Sequence, residues 1–523
     1  MGKLLTDNTG KRIARAVESL YTGGRAFPIW DAGKGEFDLT SVCRWLASNA
    51  DGKQYGVDFT LDGVQQGTKV LANEGIANPV PSTLAKPGSD PYWQVGPFRW
   101  EWVNGHVDDD GTPHVTGMRS FGNFAFDKDV LHLSPVRYCS AGVVGGKYRI
   151  VNSDTPAPGL EPEQRSTMLS GEPMPFMLRA VFAASKGADG VPMSVPYAKL
   201  WTRNCSHNSM NEACHKKGKA YSGLTYADLD YLYDMFVLKY ANKSSQTVFA
   251  GCTGHAEQTP VTVAATASAT ATIAASVAEK LPIGSAVMVG TSTTANIDRG
   301  NAAAYDLADH ASIVAKAVDG DNATLTLDCE PFDSAVGQMV STSPWNPGAC
   351  VGVQFDGSPT SCTSGREPFM LNGIECMLGA YEILGDSLVK YDGKRTKLHL
   401  CPDTSKTSTD VTADYKAAFA FPAKAAESWG YQPMATKQGG CYAPTEYGGS
   451  SGTGVGDGIY AYEDAKKTTC EFRAFGILGL RGYAGLRYGN LLGRPGGAGW
   501  NSASRVSLDG RNGVNLGEQP QAA

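Results

Sequence analysis

Glycine does most to narrow what this chain can become. It accounts for 62 of 523 residues, roughly 12% where about 7% is usual. Glycine suits tight turns and close backbone approaches but weakens helix and strand interiors. The chain is therefore expected to form short strands joined by many turns, and a helical bundle is excluded. At roughly 150 residues per domain the length predicts three or four domains. Apolar residues at 42% and charged residues at 19% supply enough core to exclude disorder throughout. A net charge of -6 leaves no general footprint for nucleic acid, which needs clustered positive charge. No run of about 18 strongly apolar residues predicts a membrane span. Met1-Gly2-Lys3-Leu4-Leu5-Thr6 is too polar for a signal peptide, and its Gly2/Thr6 spacing fits myristoylation only formally. The 12 cysteines include no C-x-x-C pair, which predicts reduced, buried thiols in a protein made in a cytosol.

Punctuation and periodicity divide the chain into four regions of an α+β protein. Residues 1–155 read as a β-rich N-terminal region after a short helix around Arg12–Tyr21. Phe98, Trp100 and Trp102 alternate as in a half-buried strand. His106-Val107-Asp108-Asp109-Asp110-Gly111 follows as a solvated hairpin tip. A calcium loop would need ligands at alternate positions and a distal Glu. Pro156, Pro158 and Pro162 form a linker opening residues 156–255. The clearest helix lies there, from Thr225 to about Ala241, with Thr225 and Asp228 at capping-box spacing. Its Leu229, Leu232, Tyr233, Phe236, Val237 and Tyr240 share one face, which predicts core. Residues 256–343 turn rich in Thr, Ala, Val and Ser and read as an inserted small β-barrel or sandwich, with strands at Val287–Val289 and Asn322–Leu327 and a turn at Asp319–Asn322. A fibre shaft or low-complexity spacer is the competing account. Residues 344–523 are aromatic- and glycine-rich.

Catalytic signatures are absent from the sequence. His207 and His215 beside Cys205 and Cys214 lack the ligand spacings of structural zinc, so a hydrogen-bonded loop is expected and no metal or cofactor is assigned. There is no G-x-S-x-G, P-loop or H-E-x-x-H motif. Glu367, Glu375 and Glu382 offer carboxylates for a glycosidase, but structural carboxylates are commoner. The most informative stretch is Gly439–Gly513, with a charged patch at Glu463–Lys467. Nine residues from Phe475 to Trp500 are glycine, and no acidic residue falls between Arg473 and Arg505. Tyr and Arg on a glycine-rich backbone have the composition of a paratope. A low-complexity tail is the alternative, opposed by Trp500, Asn501, Arg505 and Leu508, which read as a closing strand.

On these residues a family resemblance appears. Phe472-Arg473-Ala474-Phe475 and Trp500-Asn501-Ser502-Ala503-Ser504-Arg505 resemble the entry and exit of the variable segment in proteins targeted by diversity-generating retroelements, the phage major tropism determinant type. Gly365-Arg366-Glu367-Pro368-Phe369 and Gly373-Ile374-Glu375 through Gly379-Ala380-Tyr381-Glu382 are similar to a phrase of phage tail proteins and of the related formylglycine-generating-enzyme fold. The Asn204–Asn208 loop, the 225–241 helix and Gly251-Cys252 resemble the first half of the same domain.

The resemblance implies a C-type lectin-like (formylglycine-generating-enzyme-like) domain split as 156–255 and 344–523 around the insert, with residues 1–155 attaching to the virion. It further implies a phage tail-tip receptor-binding protein, a homotrimer among other tail proteins, that grips a host-surface protein or glycan. No nucleic acid, membrane insertion or catalysis is expected. The outward contacts it implies are Ile477, Leu480, Arg481, Tyr483, Leu486, Arg487, Tyr488, Asn490 and Leu491, with Trp500, Asn501 and Arg505 as scaffold. Rival readings are a passive tail or decoration protein and a tail-associated glycan hydrolase. An oxidase of the formylglycine-generating type would need a cysteine pair near the C-terminus, where Cys470 is the last, and related iron enzymes need a histidine cluster, whereas no histidine follows His399.

Overall fold

The computed structural model describes residues 26–80, 90–168, 171–360, 364–423, 428–438, 440–463 and 469–510. The helix expected around Arg12–Tyr21, the Gly2/Thr6 motif and most of the Glu463–Lys467 patch lie outside them. The chain is β-rich, with 36% strand against 13% helix, and its sheets are curled.

The helix Tyr226–Tyr240 organises the molecule. Thr225 caps it: its side chain accepts the Asp228 N–H, and the Asp228 side chain in turn accepts the Thr225 N–H. Ala241 ends it in the left-handed region. All 15 of its residues are buried, so it is covered on every side and not on one face alone. An all-round buried helix needs partners all round. On one side lies a five-stranded antiparallel sheet in the order 161–162, 138–144, 147–153, 54–59, 68–71. On the other lies an eight-stranded sheet in the order 416–420, 396–400, 381–391, 470–475, 485–490, 458–461, 428–431, with 502–503 added in parallel beside 381–391. Tyr55, Val57 and Phe59 from the first sheet and Ile459, Phe472 and Leu486 from the second join Leu229, Leu232 and Phe236 of the helix in one core.

A third sheet runs 221–222, 507–508, 177–180, 130–134, 101–107, 113–118. It pairs residues on both sides of the boundary expected at 155, since Met177–Ala180 zips onto Val130–Ser134 and Arg179 faces Ser507. The N-terminal strands thus share sheets and core with the rest of the chain. Trp100 and Trp102 are buried along with their neighbours Arg99, Glu101 and Val103. Their alternation therefore marks a segment covered on both faces, not the half-buried strand that the period-2 pattern predicts.

Residues 258–343 build a six-stranded sheet of their own, in the order 258–260, 339–343, 286–289, 308–319, 322–327, 270–274. Their core of Val261, Ile273, Val287, Ile313, Leu325 and Val340 draws on that segment alone. The described cysteines are free thiols, all buried except the half-buried Cys329.

Candidate functional site

The strand Gly485–Asn490 runs between Cys470–Phe475 and Gly458–Ala461 in the eight-stranded sheet. The pairing with Cys470–Phe475 shifts register between Gly485 and Gly489, and Arg487 and Tyr488 within that irregular stretch turn to two sides that differ sharply. Arg487 turns inward to the central helix. Its Nη1 donates to Asp230 Oδ1 at 2.7 Å, and its Nη2 donates to the Tyr226 hydroxyl and the Tyr442 carbonyl, both at 2.6 Å. Burial pushes the Asp230 carboxyl upward, and the facing Arg487 and Lys437 pull it back. Asp457 Oδ2 accepts the Arg487 backbone N–H at 2.7 Å, and burial drives that carboxyl well above its ordinary range. Gly485 is required here, because a Cβ on it would sit 2.2 Å from the Asp457 carboxylate.

The opposite face carries a row of rings. Tyr431 and Tyr483 stack at 5.0 Å and 8°, Tyr483 and Trp429 at 4.8 Å and 30°. Trp429 also meets Tyr460 at 4.7 Å and Tyr488 at 5.6 Å, and Tyr488 stacks on Tyr381 at 5.9 Å. The Arg473 guanidinium caps the far end, 5.6 Å over the Tyr381 ring, while its Nε donates to Glu471 at 2.6 Å. Tyr488 and Tyr381 are the buried floor; Trp429, Tyr431, Tyr460, Tyr483, Arg473 and Asn490 are half-buried and reach solvent. Offset and edge contacts of this kind hold rings rigid and add to their burial. The turn bearing Tyr483 is pinned from behind by Gln246, whose side-chain amide donates to the carbonyls of Arg481 and Ala484.

The residues expected to face outward divide accordingly. Arg481 is exposed, and Ile477, Leu480, Tyr483 and Asn490 are half-buried. Leu486, Arg487, Tyr488 and Leu491 are buried, which corrects their assignment as contacts. Leu486 and Leu491 belong to the core around the central helix, Arg487 is spent on Asp230, and Tyr488 lies under Trp429 and against Tyr381. The expectation took a strand as if both its faces were wet. It also missed Trp429, Tyr431 and Tyr460. Trp429 and Tyr431 alternate across Gly430, a period-2 signal that a run of four residues carries weakly.

Trp500, Asn501 and Arg505 occupy framework positions. Arg505 is buried and bidentate to Glu382, at 2.6 Å from each oxygen, and also donates to the Glu375 carbonyl. The Asn501 carbonyl accepts the Tyr381 N–H at 2.8 Å, and Trp500 lies under the Arg299 guanidinium at 5.2 Å. The three glutamates considered for hydrolysis are engaged elsewhere. Glu382 holds Arg505, Glu375 accepts the N–H groups of Gly348 and Cys350, and Glu367 accepts from Ser364 Oγ. Burial raises the Glu375 carboxyl to about 7, against the pull of those N–H groups. His207 contacts Asn208 and Asn211, and His215 Nε2 meets the Thr404 carbonyl at 3.0 Å.

Set beside known proteins, the chain matches no family model and no curated relative.

Proposed function

We propose that this protein is a phage tail-tip receptor-binding protein that grips a host-surface ligand through the ringed face of its eight-stranded sheet. The carrying observation is that Trp429, Tyr431, Tyr460 and Tyr483 present half-exposed rings side by side on a buried floor of Tyr488 and Tyr381. Rigid aromatics give large contact area at low entropic cost, and Arg473 and Asn490 beside them supply the polar contacts that fix orientation. A ring face of this kind suits a flat apolar partner, whether a sugar ring or a protein side chain.

The C-type lectin-like fold and the retroelement-target family belong to the same proposal. Supporting them is the order of parts: two helices at 207–217 and 226–240, the insert, then a sheet built from residues 381–503. Ser507–Leu508 then returns beside Met177–Ala180, so the domain closes on its own beginning. Variation is borne at Ile477, Leu480, Arg481, Tyr483 and Asn490, while Arg487 and Arg505 hold the frame. As a trimer on the virion, such a face gains avidity from several weak contacts.

The test is competition: purified protein added to host cells should block phage adsorption, and Trp429→Ala and Tyr483→Ala should each weaken the block by about 30-fold or more, the cost of losing an anchor of about 2 kcal/mol. Protein that fails to compete would instead mark a passive tail component. Sugar release from host envelope would mark a hydrolase.

A further inference from the structure

Away from this face, the hairpin 101–107/113–118 brings together side chains for which the reading above has no use. His106 and His114 are direct cross-strand partners, and their rings lie parallel at 4.6 Å and 7°. Strand 113–118 is the edge of its sheet, so the pair stands at a solvent border. The turn that follows returns Asp108 across both rings. Its backbone is fixed by the Asp108 N–H donating to the Thr112 carbonyl and the Gly111 N–H donating to the Asp108 carbonyl, each at 2.9 Å. Its carboxylate then lies 3.7 Å from His106 Nε2 and 3.2 Å from His114 Nε2. The three donor atoms all fall within 4.8 Å of one another.

From this geometry we infer that His106, His114 and Asp108 form a binding site for a zinc-class divalent transition metal. A tetrahedral ion with bonds of about 2.0–2.1 Å sets its ligand atoms about 3.3 Å apart. The Asp108 Oδ2–His114 Nε2 spacing suits it as it stands, and rotation of the two parallel imidazoles about their side-chain bonds aims both Nε2 atoms at one ion without opening the hairpin. The hydrogen bond on the other ring nitrogen is the second argument. His114 Nδ1 meets Glu36 Oε2 at 2.6 Å; with Nδ1 donating there, Nε2 is the nitrogen left to ligate, and an ion would replace the proton it shares with Asp108 Oδ2 at 3.2 Å. A carboxylate behind a ligating imidazole is the usual outer support of such sites, fixing tautomer and ring orientation. The side chains of His106 and Asp108 are 50% and 56% exposed, so an ion has an entry path and the fourth position faces water.

The donor set also decides the metal class. Two imidazoles and one carboxylate suit zinc, copper or nickel, whereas calcium and magnesium take oxygen ligands. The neighbouring aspartates do not complete an oxygen cage. Asp109 Oδ1 accepts the Lys219 N–H at 2.8 Å, and Asp110 Oδ1 accepts the Thr112 N–H at 2.9 Å. Because Glu36 comes from the separate strand Glu36–Phe37, a bound ion would tie that strand to the hairpin through His114.

Competition of full-length protein with a chromophoric chelator for Zn2+ tests this. One zinc per chain should bind, the thermal midpoint should rise with zinc, and both effects should vanish in His106→Ala and in His114→Ala. Glu36→Gln should keep the stoichiometry and bind about 10–100-fold more weakly. Ca2+ should not compete. Each variant is compared with its own metal-free melting curve, so a folding defect separates from lost binding. The inference is overturned by no stoichiometric zinc, by undiminished binding in the His106→Ala/His114→Ala double variant, or by displacement with Ca2+. None of these outcomes bears on the ringed face, which is tested by adsorption.

Discussion

Arg487 and Tyr488 are chain neighbours, yet they belong to two surfaces built on opposite rules. The inner face of the eight-stranded sheet packs on the central helix, and that helix carries a web of buried charge. Besides Arg487 with Asp230, Asp234 of the central helix meets Arg137 at 2.9 Å and Lys437 at 3.4 Å, and Lys239 meets Asp356 at 2.9 Å and also binds Asp90. The outer face has rings and, among the described residues, little charge beyond the Arg473–Glu471 pair. Taking charge out of water costs several kcal/mol per ion, and this is offset only by good geometry. The inner face is therefore intolerant of change. Half-exposed rings lose only part of their burial when cut, so the outer face can vary without unfolding the protein. A display surface needs one face of each kind, fixed behind and free in front.

The largest expected effect comes from breaking the inner web. Arg487→Ala strands Asp230 in the core without its cation and should cost about 3–5 kcal/mol, read as a lower denaturant midpoint. An unchanged midpoint would erase the distinction between the faces. The same position was expected to be an outward contact, and an outward arginine would cost under about 0.5 kcal/mol, so this one variant separates the two placements.

Proton linkage probes the inner face next. Asp386, on the strand 381–391, accepts the N–H of Tyr226 at the start of the central helix. Burial raises its carboxyl to about 7, with Arg165 opposing. Between the unfolded value near 4 and about 7 the native state holds this proton more tightly than the unfolded chain does. Stability from this group therefore falls as pH rises through that window and is level above it. Asp386→Asn keeps an acceptor for Tyr226 and removes the titration. Relative to the parent, the variant should gain stability from pH 4.5 to 7, at up to about 1.4 kcal/mol per pH unit. Parallel pH curves for the two proteins would show that Asp386 is not held protonated.

On the outer face the effects should move from stability to binding. Trp429→Ala and Tyr483→Ala should lower the thermal midpoint by a few degrees at most, while receptor competition falls about 30-fold. A large stability loss with unchanged competition would make the ring row a core extension and sink the contrast.

How far the sequence shows this depends on range. The central helix is legible because its signals are local: Thr225 and Asp228 cap it, and Leu229 to Tyr240 repeat at helical spacing. Strands Ala286–Val289 and Asn322–Leu327 are legible for the same reason, through β-branched runs beside a turn. Burial of the helix on its charged side is not legible. Asp230 and Asp234 carry no local mark that Arg487 and Arg137 will meet them, since those partners lie 257 and 97 residues away. The candidate site suffers in the same way. Composition located the Gly/Tyr/Arg segment but not its faces, because assigning Arg487 inward and Tyr488 outward needs the register with Ile459 and Ala474. Trp429 comes from another part of the chain, and its place beside Tyr483 follows from pairing alone.

Gly458 offers the finest test of the contrast. It lies under the ring row, where a Cβ would stand 2.9 Å from Tyr483 Cδ1 and 3.3 Å from Trp429 Cε3. Tyr483 Cβ also stands 3.1 Å away, so Gly458→Ala should shift the turn bearing Tyr483 slightly and tilt the two rings, at a stability cost of about 1 kcal/mol. The stack of Tyr483 on Trp429 and Tyr431 would lose its registry while Arg487 behind the sheet kept its bonds to Asp230, Tyr226 and Tyr442. Receptor competition should therefore weaken several-fold, less than for Tyr483→Ala, with the inner-face pH response unchanged. Competition equal to the parent's would mean the rings bind independently of their alignment, and the outer face would then act as an apolar patch rather than a shaped one.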